Sequence, residues 1–170
     1  MKRGLVILAL LCALVLSACA GDDRGTLEDL SATLGTDLAQ GTVLEEWDDH
    51  GGFQGDGTRW VVVSLAGADP APAFSPEAGW HATPLPEELE AVWYGVTRET
   101  DQGEETMGPY LPEGVSVPRV KEGYWFFQDR HGEAEDPGDP SELFSRASYN
   151  FTAALYDADG EALYYYELDT

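Results

Sequence analysis

Cysteine is nearly absent from this 170-residue chain: its two copies, Cys12 and Cys19, both lie within the first nineteen residues. From residue 20 onward no disulfide, thiolate nucleophile or cysteine-ligated metal is available. Positive charge is scarce as well, with Lys+Arg 9 against Asp+Glu 32 and a formal charge of −23. A phosphate backbone is held by a basic surface, so this balance excludes non-specific nucleic-acid binding. The local signatures of several catalytic classes are also missing. There is no G-x-S-x-G elbow, no S-x-x-K and no H-E-x-x-H, and Gly114-Val115-Ser116-Val117-Pro118 departs from the elbow at its last residue. Repeats and low-complexity tracts are absent. What is present is a hydrophobic content of 43%, enough at this length for one packed core without covalent staples.

The chain opens with Lys2 and Arg3, followed by an apolar run from Leu5 to Leu16 that is too short for a membrane span. This pattern predicts a signal peptide over residues 1–18. The segment Leu16-Ser17-Ala18-Cys19 resembles the lipobox of bacterial lipoproteins: an aliphatic residue, two small residues and the cysteine. The resemblance implies cleavage before Cys19 and a diacylglycerol on its thiol, with fatty acyl chains such as palmitate. It also implies a protein anchored in the cell membrane on the extracytoplasmic side. Two acyl chains supply the double signal that stable attachment requires. The composition is similar to that of small lipoproteins from high-GC Gram-positive bacteria, rich in Ala, Gly, Asp and Glu, with Lys2 and Lys121 as the only lysines. Loss of the leader leaves seven basic residues against 32 acidic ones, a net −25. Such a domain is repelled by anionic headgroups and is tethered to the membrane without lying on it.

Residues 19–36 read as the lipidated cysteine and a flexible linker, small and polar, with Leu27, Leu30 and Leu34 able to form only a short amphipathic stretch between Gly25 and Gly35. A single domain over 37–170 follows. Val43–Asp48 and Thr58–Leu65 are strand-like and joined by a Gly-rich turn, and Trp60–Val63, apolar on both parities, suits an interior strand. Four prolines between residues 70 and 84 leave room for one short helix near Pro72 or Pro76. Pro86 then opens a helix closed by Gly95, with Leu85, Leu89, Val92 and Trp93 on one face. Residues 96–119 lack a sustained period and read as a long surface loop. Three strands follow within residues 123–168, the last two joined at Asp157-Ala158-Asp159-Gly160. The expected fold class is α+β, an antiparallel sheet of about five strands with one or two short helices on one face.

Candidate sites are weighed against plainer roles. His50 follows Asp48 and Asp49, and His131 follows Asp129 and Arg130, so a carboxylate is placed to orient either imidazole. Each His ends a strand, and capping that strand is the plainer role. Calcium is the cofactor to consider, because hard cations take oxygen ligands. The loop with Asp129, Glu133, Glu135, Asp136 and Asp139 is the candidate, against a simple solvated acidic loop. Five tryptophans and the run Tyr164-Tyr165-Tyr166 first supply the core, and the aromatic area beyond what a small core buries is available as a contact site. Strand parity sets Tyr165 apart from its neighbours, beside Tyr156, with Met107, Tyr110 and Leu111 of the long loop able to lid that face or leave it open. Tyr165, Tyr156 and Tyr110 therefore form the candidate binding surface. The functional reading is a membrane-anchored binding or accessory module of the cell envelope whose partner is an envelope protein, peptide or glycan. The alternative is an extracytoplasmic hydrolase with a carboxylate- or metal-assisted site.

Overall fold

Each aromatic, β-branched run of the sequence becomes a strand. The computed structural model describes residues 23–51, 55–69, 71–101 and 103–170; the signal peptide, the lipobox and Cys19 lie outside the described residues. In chain order the strands are β1 (Thr42–Asp48), β2 (Gly57–Ser64), β3 (Trp80–Ala82), β4 (Val96–Thr100), β5 (Gly103–Met107), β6 (Gly123–Asp129), β7 (Asn150–Asp157) and β8 (Ala162–Asp169). Six of them form one sheet in the order β1-β2-β8-β7-β6-β3, and every pairing is antiparallel. β4 and β5 make a separate two-stranded ribbon. The helices are α1 (Asp23–Leu34) and α2 (Glu87–Tyr94), with 3-10 turns at Pro76–Ala78 and Pro140–Ser145. The class is the expected one, α+β on an antiparallel sheet.

Side-chain alternation along the strands divides the interior into two layers. Val61 and Val63 of β2, Phe126 of β6, Ala154 of β7 and Leu163 and Tyr165 of β8 face one side, where they pack on Leu27, Leu30, Leu34 and Leu38. Trp60, Trp125, Phe127, Phe151, Ala153, Leu155 and Tyr166 face the other, against Leu89, Val92 and Trp93 of α2. The two helices thus cover opposite faces.

The segment read as a linker is the first correction. From Asp23 it is a helix whose Leu27, Leu30 and Leu34 are all buried. Their spacing of three and four residues makes one apolar stripe. The helix stops at Gly35, which takes the left-handed conformation (φ 61°), and Thr36 N–H donates back to the Ser31 carbonyl at 3.3 Å, a Schellman closure. The stripe is too short to hold a helix alone, and burial against the sheet supplies the rest. The long loop is the second correction. Within it β4 and β5 form a ribbon, nearly all exposed, so both of its faces are polar and no alternation marked it in the sequence. No helix among the described residues is long and apolar enough to cross a membrane.

Candidate functional site

One end of the sheet gathers most of the polar chemistry. β1 ends there at Asp48, β2 begins at Gly57, β6 ends at Asp129, β7 begins at Asn150 and β8 ends at Asp169. His50 sits between two carboxylates: its Nδ1 is 2.7 Å from Asp48 Oδ1, and its buried Nε2 is 3.1 Å from Asp169 Oδ2, within ion-pair range but off hydrogen-bond angle. Arg130 meets the same Asp169 at 3.0 Å and Glu167 at 3.4 Å. Burial works against ionisation of Asp48, yet the His50 N–H and then its ring hold the Asp48 carboxyl below the usual carboxylate range. Asp49 is lowered too, by the backbone N–H and hydroxyl of Thr58, which donate to its Oδ1 at 2.6 and 2.9 Å. These are strand-end ties. Gly57 lets them close, since a Cβ there would stand 2.6 Å from His50 Cα.

Beside them lies an acidic cleft of about 580 Å³, lined by Asp129, Glu133, Glu135, Asp136, Asp139, Glu142 and Arg146, with small residues between. Its carboxylates have other employment than calcium. Asp129, its side chain only 4% exposed, is ion-paired with Arg146 and accepts the His131 N–H at 2.9 Å. Asp136 accepts the Gly138 N–H, and Asp139 caps the 3-10 turn by accepting the Ser141 N–H, both at 2.9 Å. Among the described residues no group of three or more His, Cys, Asp or Glu side chains is placed to hold a metal ion. The calcium expectation thus finds no coordinating cluster among the described residues, and Asp129, Asp136 and Asp139 spend oxygens on the backbone and on Arg146.

The same corner holds a contact that a hydrolase would use: Ser148 Oγ is 3.4 Å from His131 Nε2. The other ring nitrogen, however, is already engaged. His131 Nδ1 accepts the Glu133 N–H at 3.3 Å, so the proton of a neutral ring sits on Nε2 and Ser148 is the acceptor. A general base needs a bare nitrogen toward the hydroxyl. His50 bonds Asp48 and approaches Asp169, whereas His131 bonds Glu133 and Ser148, so each ties its own strand end. The third histidine, His81, stacks on Trp125 at 4.3 Å.

The expected aromatic surface does not form. Tyr165 is 1% exposed, covered by α1, with the Arg59 guanidinium 5.8 Å above its ring. That face, which the long loop was placed to lid or leave open, is closed instead by the segment taken for a spacer. Tyr156 shares that layer and is half-buried, stacked on Phe74 at 4.3 Å. Tyr110 lies in the opposite layer, stacked on Phe144 at 5.0 Å, and its carbonyl accepts the Tyr166 hydroxyl at 2.6 Å.

An open aromatic cleft does exist elsewhere, on the α2 face. It measures about 350 Å³ and is lined by Leu44 and Glu45 of β1, Trp60 and Val62 of β2, Tyr164 of β8 and the loop from Gly114 to Pro118. Trp60 and Tyr164 stack at 6.2 Å to form part of its wall. Leu44 is 63% exposed, the most exposed large hydrophobic among the described residues. β1 is an edge strand, and its pairing with β2 slips at a bulge between Val43 and Glu45. That bulge turns Leu44 outward. The adjacent apolar pair Val43-Leu44, interrupting the alternation of TVLEEWD, is the trace this cleft leaves in the sequence. No family model matches the chain, and no curated protein or solved structure is significantly similar to it.

Proposed function

We propose that this chain is a lipid-anchored, extracytoplasmic binding or accessory module of the cell envelope, held by a diacylglycerol on Cys19. It engages an envelope protein, peptide or glycan through the cleft between β1 and the Gly114–Pro118 loop. The lipobox Leu16-Ser17-Ala18-Cys19 supports the anchor. The observation that carries the binding reading is the cleft itself: a wall of half-buried Tyr164, backed by the fully buried Trp60, beside Leu44, which lies exposed on an edge strand. Aromatic rings give contact area with little entropy to lose, and an exposed aliphatic at the rim of such a wall is the usual make-up of a recognition patch. The acidic surroundings favour a neutral or basic partner.

The anchor is tested by detergent phase partitioning of wild type and Cys19→Ala. Wild type is expected in the detergent phase and the variant in the aqueous phase or unprocessed; equal recovery of both in the aqueous phase overturns the lipoprotein reading. The cleft is tested by Leu44→Asp. Stability is expected to stay within about 0.5 kcal/mol, as for an exposed position, while capture of the lipidated protein by envelope fractions falls. Undiminished capture removes the cleft from the proposal.

A further inference from the structure

We propose that the domain stands on the bilayer by one particular end of its sheet, the end marked by Asp48, Gly57, Asn150 and Asp169, and directs the turn between β7 and β8 away from the membrane. The inference rests on the lipidation of Cys19 proposed above and adds an orientation to it. Its basis is that α1 is part of the core. Thr26 Oγ1 donates to Glu46 at 2.7 Å, Asp29 pairs with Arg59, and Leu27 is buried. The fixed structure therefore reaches back to Asp23, and only residues 20–22 separate it from Cys19. Whatever their conformation, four Cα-to-Cα steps reach no more than about 14 Å.

The direction of α1 decides which end is held there. Its first turns bond Glu46 and Arg59, next to the Asp48–Arg59 pair that closes the β1–β2 ladder. Its last residue offers its carbonyl to Trp80 Nε1 at 2.9 Å, and the chain beyond it passes Val63 and Leu65 at Gly41, at the opposite end of the sheet. The helix therefore starts at the Asp48 end. β7 and β8, eight residues each, carry the opposite turn roughly 26 Å farther away, well beyond the reach of the tether.

Charge does not select this orientation, because the acidic cleft lies beside the same end. Of the seven basic residues after Cys19, Arg24, Arg59, Arg130 and Arg146 lie at this end, as do His50 and His131. Arg59, Arg130 and Arg146 are matched to carboxylates there, but Glu133, Glu135 and Glu142 of the cleft leave this end acidic. The repulsion of a net acidic domain decays over about 8 Å at physiological ionic strength, less than the tether length. Tether length therefore sets the separation.

The test uses the full lipidated protein in vesicles of phosphatidylglycerol and phosphatidylcholine that contain a headgroup-nitroxide lipid, a contact-range quencher. Residues 20–170 contain no cysteine, so one introduced thiol carries one fluorophore, either at Asp56→Cys on the proposed membrane side or at Ala158→Cys in the far turn. Both positions are exposed. Quenching is expected to be several-fold stronger at residue 56. A Gly/Ser insert of roughly 20 residues after Ala20, with an r.m.s. reach of roughly 25 Å, is expected to erase the difference. Equal quenching at the two sites in vesicle-bound protein, or stronger quenching at residue 158, overturns the orientation while leaving the anchor standing. Failure of the protein to float with the vesicles overturns both.

Discussion

The two faces of the sheet are built from different materials. The α1 face is mainly aliphatic, and its tryptophan is satisfied: Trp80 donates to the Leu34 carbonyl at 2.9 Å. The α2 face is crowded with rings, and the indole N–H groups of Trp60, Trp93 and Trp125 have no partner among the described residues. It also carries the open cleft and the buried ion pair of Asp129 and Arg146. A structural face closes its polar groups, because each buried donor left unpaired costs free energy. Loose ends of this kind accumulate where a surface does something other than hold the fold together. The α1 face closes its polar groups, whereas the α2 face, which carries the proposed cleft, leaves three indoles unpartnered among the described residues.

Four measurements sharpen or break that division. The largest effect is expected on the α2 side, where Asp129→Ala removes a buried carboxylate that pairs with part-buried Arg146 and accepts the His131 N–H, at a cost of up to about 3–5 kcal/mol. A denaturation midpoint close to wild type would show that water reaches the pair. Core truncation compares the faces directly. Phe151→Ala is expected to cost about 3–5 kcal/mol and Leu30→Ala about 2–5 kcal/mol, both residues being fully buried. An unchanged midpoint for Leu30→Ala would return α1 to the role of a spacer and remove the basis for a short tether.

A finer contrast concerns the indoles. Trp80→Phe and Trp93→Phe lose the same ring volume, but only the first breaks a hydrogen bond. Thr36 Oγ1, 3.4 Å from the Leu34 carbonyl, softens that loss. Trp80→Phe is expected to be the costlier by about 1 kcal/mol; equal costs would mean that the unpartnered indoles of the α2 face are satisfied in solution.

The smallest effect is on pH dependence. Asp48 and Asp49 are held below their ordinary values, so the stability they contribute is complete above the unfolded carboxyl value of about 4 and is lost as pH falls through the folded ones. Asp48 leans on His50, whereas Asp49 leans mainly on Thr58. A carboxyl-detected NMR titration of His50→Ala should raise the Asp48 midpoint and move Asp49 less. An unmoved Asp48 would detach the histidine from it.

Strands were readable where chemistry is repetitive. Trp60–Val63, Trp125–Phe127 and the hairpin at Asp157–Gly160 announce themselves through β-branched and aromatic runs bounded by turn residues, and α2 through Pro86, Gly95 and the stripe between them. α1 was illegible for a physical reason. Three leucines among polar residues hold a helix only when a sheet face is there to receive them, and the sequence does not display that face. The β4–β5 ribbon was hidden because two exposed strands alternate nothing. Tyr165 was correctly placed opposite Tyr164 and Tyr166 by parity, but parity does not say which side is wet. Leu44 was overlooked because a bulge, set by pairing with a distant strand, turned it outward.

The sequence by itself determined the acidic charge, the lack of thiols after Cys19, the lipobox pattern and the α+β class, because composition and short-range periodicity belong to the chain whatever its partners. Only the tertiary structure decided which face is closed, where the carboxylates of the acidic loop are spent, which nitrogen of His131 faces Ser148 and how few residues separate Cys19 from folded structure. Each of these depends on contacts between residues far apart in the chain, and the energy of such a contact exists only once both partners are in place.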